Sequence, residues 1–202
     1  MCRFEKEVGN IYRLKIPFED IYTSVFLIKD GGGALLVDCG QSREAVDEYI
    51  VPALEGEGYS LSEITALVLT HRHKDHAGGL PRILELTPSL TVIAGEGVIS
   101  EAVKTYPLPG HTRDSIGVLC EDCSALITGD GVQGDGVGRY PTLISDKEDY
   151  ISSLGKIAAD KGIRALIFSH PYRPWGKDTV HGSEEINLCL SYCINKAKGE
   201  KQ

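Results

Sequence analysis

Short apolar runs alternate with amphipathic stretches along the whole chain, the pattern of an α/β protein. Tyr22 to Ile28 is rich in β-branched and aromatic residues, and Ala34 to Val37 is apolar. The Gly31-Gly32-Gly33 run between them predicts a hairpin turn, so two strands are expected to open the chain. Asp38-Cys39-Gly40 closes the second strand. Val46, Tyr49, Ile50 and Ala53 then share one helical face, and Pro52 predicts an interruption or kink, because proline lacks the amide hydrogen a helix interior uses. Ser60-Leu61-Ser62-Glu63 has the form of a capping box. The apolar strand Ala66 to Leu69 delivers the chain into Thr70-His71-Arg72-His73-Lys74-Asp75-His76.

Beyond that cluster the alternation continues. Gly78 to Leu86 predicts a helix, Leu90 to Ala94 a strand, and Gly97 to Lys104 another short helix. Ile116 to Leu119 and Ala125 to Thr128 are apolar strands, with Cys120-Glu121-Asp122-Cys123 at the tip between them. Five glycines between Gly129 and Gly138 predict a flexible loop with no packing face. Ser145-Asp146-Lys147-Glu148 reads as a second capping box, opening a helix with Ile151, Leu154 and Ala158 inward and Gly162 past its end. Ala165 to Phe168 is a last buried strand, and Ser183 to Lys198 a terminal helix.

At 202 residues and 42% hydrophobic, the chain can bury one sizeable core, so a single domain over residues 1–202 is expected. The net charge is −8, and no basic cluster interleaved with aromatics could track a phosphate backbone, which argues against nucleic acid. No signal-length apolar run opens the chain and nowhere do 18 apolar residues follow one another, so a soluble cytoplasmic protein with no membrane association is expected. A homo-oligomer is compatible with all of this. Six cysteines are too few for a disulfide scaffold. Cys189 and Cys193 lie on one helical face with Ile186, Leu190 and Ala197 and read as small buried hydrophobes. The Cys120 to Cys123 spacing suits a hairpin tip, a structural zinc or a redox pair being the alternative. Cys2 and Cys39 carry no clear signal.

The chemistry lies in the histidines and aspartates. His71, His73, Asp75, His76, His111, Asp130 and His170 nearly all stand just past an apolar strand, where open sheets place their ligand sites. On an extended backbone His71 and His73 point the same way, and the step from His73 to His76 suits a turn into a helix. One short segment thus offers three nitrogens and a carboxylate to a single pocket, a donor set that zinc accepts. Taken singly, Asp75 reads as a helix N-cap, Asp130 as a turn residue, and His111 and His170 as ordinary strand-end residues. Five of the six histidines at strand ends beside so dense a cluster point instead to one shared site.

The segments LLVDCG (35–40), LTHRHKDHAGGL (69–80), PGHT (109–112), ITGD (127–130) and FSH (168–170) resemble the metallo-β-lactamase-fold hydrolases, in order and in spacing. The resemblance implies a four-layer αββα sandwich. It implies His71, His73 and His111 on one metal, Asp75, His76 and His170 on a second, and Asp130 bridging both, with Asp38 supporting the site without binding metal. Two zinc ions are implied, although iron and manganese accept the same mixed set. The implied activity is hydrolysis of a small ester, thioester or lactone by a metal-bridging hydroxide, with Asp75 aiming the nucleophile. Arg113-Asp114-Ser115 departs from the proline-glycine-histidine or proline-glycine-serine that often follows the PGHT segment in the family. That departure tells against the glyoxalase II and lactonase branches. Asp130 where zinc β-lactamases carry cysteine tells against antibiotic hydrolysis.

Substrate contacts are expected from Tyr172, Arg173 and Trp175, directly after His170, and from Tyr140 in the glycine loop, a candidate lid. His181, just before the terminal helix, reads as a cap or surface residue. Two rival activities share the fold: a metal-dependent phosphodiesterase or nuclease, and a mononuclear iron dioxygenase for persulfides. Only 39 residues separate Asp130 from His170, leaving little room for a nuclease insertion, and His76 and His170 supply a second site that the dioxygenase dispenses with.

Overall fold

The computed structural model describes residues 2–31 and 33–199; Gly32, central to the expected turn, lies outside them. The chain forms two compact units, the first ending at Ala94 and the second beginning at Gly95.

The first unit holds a six-stranded sheet, ordered as in sequence: β1 (Glu5–Val8), β2 (Ile11–Phe18), β3 (Ile21–Asp30), β4 (Gly33–Val37), β5 (Ile64–Val68) and β6 (Thr91–Ile93). β1 to β4 pair antiparallel, and β5 and β6 join in parallel through helical crossovers, as parallel neighbours require. The expected hairpin is β3–β4, and two strands precede it. β2 hides from a search for alternation because an arginine takes a core position. Arg13 is buried, its guanidinium donating to Glu7 Oε1 (2.7 Å) and Ser24 Oγ (2.8 Å) and lying 4.9 Å over the Phe26 ring.

The interruption expected near Pro52 takes the form of a change in winding. Ala45–Ile50 is a π-helical turn, in which the Val51 amide reaches back five residues to the Val46 carbonyl. α1 (Val51–Gly56) continues it as an α-helix, and Pro52 falls in the first α turn, where a missing N–H costs nothing. The capping box is real, Glu63 Oε2 accepting from both the Ser60 amide and hydroxyl at 2.7 Å, but it opens only a single turn before β5. α2 (Lys74–Ala77) and α3 (Leu80–Leu86) lead to β6. Leu14, Ile16, Val25, Leu27 and Leu36 of the sheet pack with Val46, Ile50, Leu54 and Ile83 of the helices, and each such side chain contributes about 1.5–3 kcal/mol by leaving water.

The second unit holds a five-stranded sheet of β7 (Val103–Pro107), β8 (Ile116–Cys120), β9 (Ala125–Gly129), β10 (Ala165–Tyr172) and β11 (Lys177–His181), in the order β11-β10-β9-β8-β7. β9 and β10 are parallel and every other pair is antiparallel. α4 (Lys147–Ala159) makes the crossover and α5 (Gly182–Lys198) closes the unit. The helix expected over Gly97 to Lys104 is absent. Its end belongs to β7, whose β-branched Val103 and Thr105 pair with β8, and the Thr105 hydroxyl ties down both the amide (2.7 Å) and the carbonyl (3.1 Å) of Gly97. α4 is capped by Asp146 rather than Ser145, its carboxylate accepting from the Asp149 amide at 2.9 Å. The buried face is Tyr150, Ser153, Leu154 and Ile157, so of the expected Ile151, Leu154 and Ala158 only Leu154 is buried.

The glycine loop does have a packing face: Val132, Gln133 and Val137 are buried. Among the described residues, no helix is long and apolar enough to cross a membrane.

Candidate metal centre

In the first unit the chemistry begins where β4 and β5 end. Asp38 follows β4 with φ +62°, a left-handed conformation that aspartate tolerates better than most residues. Its amide bonds the Val68 carbonyl (2.8 Å), so its carboxylate lies beside the start of the histidine segment. Fully buried, that carboxylate accepts from the Thr70 amide (2.8 Å), the Thr70 hydroxyl (2.8 Å to Oδ2) and His76 Nδ1 (2.7 Å). The Thr70 oxygen in turn stands 3.1 Å from His71 Nδ1. With its own proton given to Asp38, it accepts there. One carboxylate thereby sets two imidazoles in the tautomer that protonates Nδ1 and leaves Nε2 as the donor atom of each.

Those donor atoms stand close to the next residues along. His71 Nε2 lies 3.1 Å from His73 Nδ1, and His76 Nε2 lies 3.3 Å from Asp75 Oδ2. Two ligand atoms on one tetrahedral zinc, at about 2.0–2.1 Å from it, stand roughly 3.3 Å apart. Both pairs match that edge.

Small residues make the arrangement possible. The His76 carbonyl accepts from the Cys39 amide (2.8 Å) and thiol (3.2 Å), and the Gly79 amide bonds the Gly40 carbonyl (3.0 Å). A Cβ on Gly78 would stand 2.2 Å from the Gln41 carbonyl oxygen, and one on Gly79 2.1 Å from that of Cys39. Only glycines let the two loops approach this closely. Cys39, which carried no signal in the sequence, is a buried strut, and burial holds its thiol far above the ordinary range.

In the second unit His111 follows β7, Asp130 follows β9, and His170 lies within β10, which runs on to Tyr172 instead of ending at Phe168. Asp130 places one oxygen near each imidazole, Oδ2 at 3.6 Å from His111 Nε2 and Oδ1 at 3.6 Å from His170 Nε2. Both spacings exceed a hydrogen bond. His111 is fixed from behind by the Leu143 carbonyl, which accepts from Nδ1 at 2.8 Å. Gln133, which sequence inspection missed, holds that carbonyl in place. Its Oε1 accepts from the Leu143 amide (2.8 Å), and its Nε2 donates to the carbonyls of Leu143 (3.1 Å) and Asp130 (2.9 Å). The only hint of it in the sequence is a lone amide side chain in a glycine-rich loop.

The Arg113-Asp114-Ser115 departure forms a self-closing turn. The Thr112 hydroxyl bonds Asp114 Oδ1 (2.9 Å), and the Ser115 hydroxyl accepts from the Thr112 amide (3.1 Å).

The expected substrate residues divide by burial. Tyr172 is buried, its ring edge-on to His170 at 5.7 Å. Arg173 is exposed and donates to the Asp135 carbonyl (3.1 Å), while Trp175 stacks on Phe168 at 5.9 Å. Tyr140 is half-buried, with the Arg139 guanidinium 5.2 Å over its ring. His181 is exposed at the N-cap of α5.

Residues 19–94 match the family model of the metallo-beta-lactamase superfamily. The fold is that of solved metallo-β-lactamases. The DIM-1 enzyme aligns with TM-score 0.73 at 19% identity over 98% of this chain and 97% of its own, and a metallo-β-lactamase from Pontibacter korlensis with TM-score 0.73 at 16% identity over 99% and 100%. The resemblance carried by the motifs is thus borne out. Among curated proteins the chain is similar to the lactamase-like protein adaB of Aspergillus niger (30% identity over 152 residues, 67% of this chain and 46% of that one). It is also similar to an atrochrysone carboxyl ACP thioesterase of Aspergillus fumigatus (32% over 156 residues, 67% and 46%). The chain spans about half the length of these relatives.

Proposed function

We propose that this chain, which matches the metallo-β-lactamase superfamily over residues 19–94 and carries its fold, is a dinuclear metal-dependent hydrolase acting on thioesters or on the chemically close esters and lactones. The observation that carries the reading is Asp130, whose two oxygens each stand 3.6 Å from a different imidazole, the disposition of a carboxylate that spans two cations. The two units are taken as halves of one domain. His71, His73 and His111 then hold one ion and Asp75, His76 and His170 the other.

The donor set fits. Neutral imidazoles and carboxylates suit zinc, and the 3.1 Å and 3.3 Å ligand spacings in the first unit lie close to the tetrahedral edge of roughly 3.3 Å. When bound, two zinc ions supply Lewis acidity and bring the pKa of a water from about 15.7 toward 7. The protein's part is to place and orient. Asp38, acting directly on His76 and through the Thr70 hydroxyl on His71, prevents either ring from turning its protonated nitrogen into the site. The Leu143 carbonyl does the same for His111. Asp75 accepts a hydrogen bond from the attacking water and aims its lone pair at the acyl carbon. Tyr172 walls the site beside His170, and Tyr140 and Arg173 contact the substrate.

A thioester is favoured because a relative bears the name of an acyl-carrier thioesterase. The test is elemental analysis of purified protein together with turnover of generic thioesters, lactones and a bis-aryl phosphodiester. Two zinc per chain, chelator-sensitive thioester hydrolysis, and loss of both in Asp130→Ala are expected. One iron per chain with no hydrolysis would sink the proposal, and turnover of the phosphodiester alone would favour the nuclease.

A further inference from the structure

The turn that follows His111 leaves one cation with nothing inside the protein to bind. Its other members are engaged. The Gly110 amide bonds the Thr112 carbonyl (3.0 Å), the Thr112 hydroxyl meets Asp114 Oδ1 (2.9 Å), and Ser115 is buried, its hydroxyl accepting from the Thr112 amide (3.1 Å). A Cβ on Gly110 would stand 2.4 Å from the Tyr150 α-carbon, so the turn is packed tightly against α4. Arg113 takes no part in this closure. It is exposed, and among the described residues its guanidinium has no hydrogen bond or ion pair. In a chain with 29 acidic residues against 21 basic ones a cation readily finds a carboxylate, as Arg3, Arg43, Arg82, Lys104, Lys177 and Lys196 do. Arg113, two residues past a candidate metal ligand, does not.

On the Nδ1 side of His111 an apolar side chain is presented in the same manner. The Leu143 carbonyl meets Nδ1 at 2.8 Å, and Gln133 holds both the amide and the carbonyl of Leu143. Thr142 and Ile144 line a cavity that they share with Tyr150 and Ala197, whereas Leu143 between them is 53% exposed. Any residue could supply that carbonyl, and a polar one would do so without leaving half a leucine in water. Single exposed leucines are ordinary on a surface. One whose backbone is already immobilised loses little further freedom on meeting a ligand, which makes it an effective contact.

We propose that Arg113 and Leu143 select the substrate: an acyl thioester that offers an anionic group, carboxylate or phosphate, to the guanidinium and an apolar segment to the leucine. The inference rests on the hydrolase reading above and adds the charge and polarity of the substrate to it. A guanidinium presents paired N–H donors that match two oxygens of a carboxylate or a phosphate. A thioester can carry such an anion at either end, as a carboxylate on the acyl group or as a phosphate on the thiol.

The experiment compares kcat/KM of the full chain for hexanoyl-N-acetylcysteamine, which is neutral, with hexanoyl-coenzyme A and with adipoyl-N-acetylcysteamine. At least one charged ester is expected to be preferred, and Arg113→Gln to lower that preference about tenfold, the effect of one charge-assisted hydrogen bond. A loss confined to the coenzyme A ester assigns the anion to the thiol, and one confined to the adipoyl ester assigns it to the acyl group. Lys161→Gln, which removes an exposed charge just beyond α4, should leave the preference in place. From acetyl to hexanoyl the parent should gain up to about fourfold per methylene, and Leu143→Ser should flatten that gain. Both site variants should keep the metal content of the parent. The proposal is overturned if Arg113→Gln changes neither ratio, if Lys161→Gln changes them equally, or if Leu143→Ser leaves the chain-length gain intact. If the parent hydrolyses none of the esters, the hydrolase reading falls by itself. Calorimetry with hexanoate and hexyl phosphate then decides the inference, which requires binding of one of them to weaken about tenfold in Arg113→Gln and fails if neither does.

Discussion

Replacing Asp38 by asparagine changes one atom and should cost metal affinity without disturbing the backbone. Asparagine adopts positive φ as readily as aspartate does, so the +62° at this position is kept. The hydrogen bonds cannot be kept. With the amide oxygen toward the Thr70 amide, the new NH₂ group meets His76 Nδ1–H, which sits 2.7 Å from Asp38 Oδ2. With the amide flipped, the NH₂ meets the Thr70 amide hydrogen 2.8 Å away. The conflict is relieved when His76 moves its proton to Nε2, the nitrogen 3.3 Å from Asp75, and that occupies the lone pair a cation would use. A hydrogen bond to a charged group contributes about 1.5–3 kcal/mol, which is roughly 10–100-fold in an equilibrium constant. Zinc affinity, measured by competition with a chromophoric chelator, should therefore fall by one to two orders of magnitude while the circular dichroism spectrum is unchanged. An Asp38→Asn variant that binds zinc within about twofold of the parent would refute the assignment of Asp38 as the residue that sets the His76 tautomer.

Three further outcomes are expected. Gln133→Leu removes the side-chain hydrogen bonds to the Leu143 amide and to the carbonyls of Leu143 and Asp130, and leaves the Leu143 amide without that acceptor. Stability should fall by about 2–4 kcal/mol in urea denaturation, and a loss under about 0.5 kcal/mol would show that the loop does not depend on this side chain. Gly110→Ala sets a Cβ 2.4 Å from the Tyr150 α-carbon, at φ +137°, where neither backbone can yield. The melting temperature should drop by at least about 5 °C, and a value within about 2 °C of the parent would contradict the packing. Asp135 is held below the usual carboxylate range, first by the Lys196 ammonium and then by Tyr192, whose hydroxyl lies 2.8 Å away. Its contribution is fully present above its unfolded value of about 4 and is lost as pH falls through the lower folded value. The group is partly exposed, so the effect stays under about 1 kcal/mol. Asp135→Asn should flatten the stability profile below about pH 4, and unchanged slopes there would exclude the linkage.

The strands that bear the chemistry were legible because apolar runs end abruptly in polar ligands, as Ala66 to Leu69 does at Thr70-His71. β2 was not, because Arg13 occupies the core only with Glu7, Ser24 and Phe26 arranged around it, and no local pattern encodes those partners. β7 escapes the pattern because the stretch Gly97 to Lys104, which runs into its first two residues, mixes apolar and charged residues at helical spacing, while its actual partner, β8, lies further along the chain. Composition suggested a free glycine loop, yet the glycines at 134 and 136 are there to permit close packing. A Cβ on Gly134 would stand 2.1 Å from the Arg173 carbonyl oxygen, and one on Gly136 2.1 Å from that of Tyr140. Glycine content signals backbone freedom and close approach alike, and only the neighbours distinguish them.

The same distinction separates the parts of the candidate site that sequence reveals from those it does not. Ligand residues are chosen for their own atoms, so histidine and aspartate announce themselves by type and spacing. The groups that orient them are chosen for position, and any acceptor at the right place will serve. In the first unit that acceptor is a charged side chain, Asp38, whose buried carboxylate orients His76. In the second it is a neutral backbone carbonyl, Leu143, which orients His111 but adds no charge, and which leaves no trace in the identity of residue 143. The two histidines therefore depend on their supports in different ways. His76 responds to a change of charge at one atom, while His111 responds to anything that moves a loop, which is why Gln133 matters despite being in no motif.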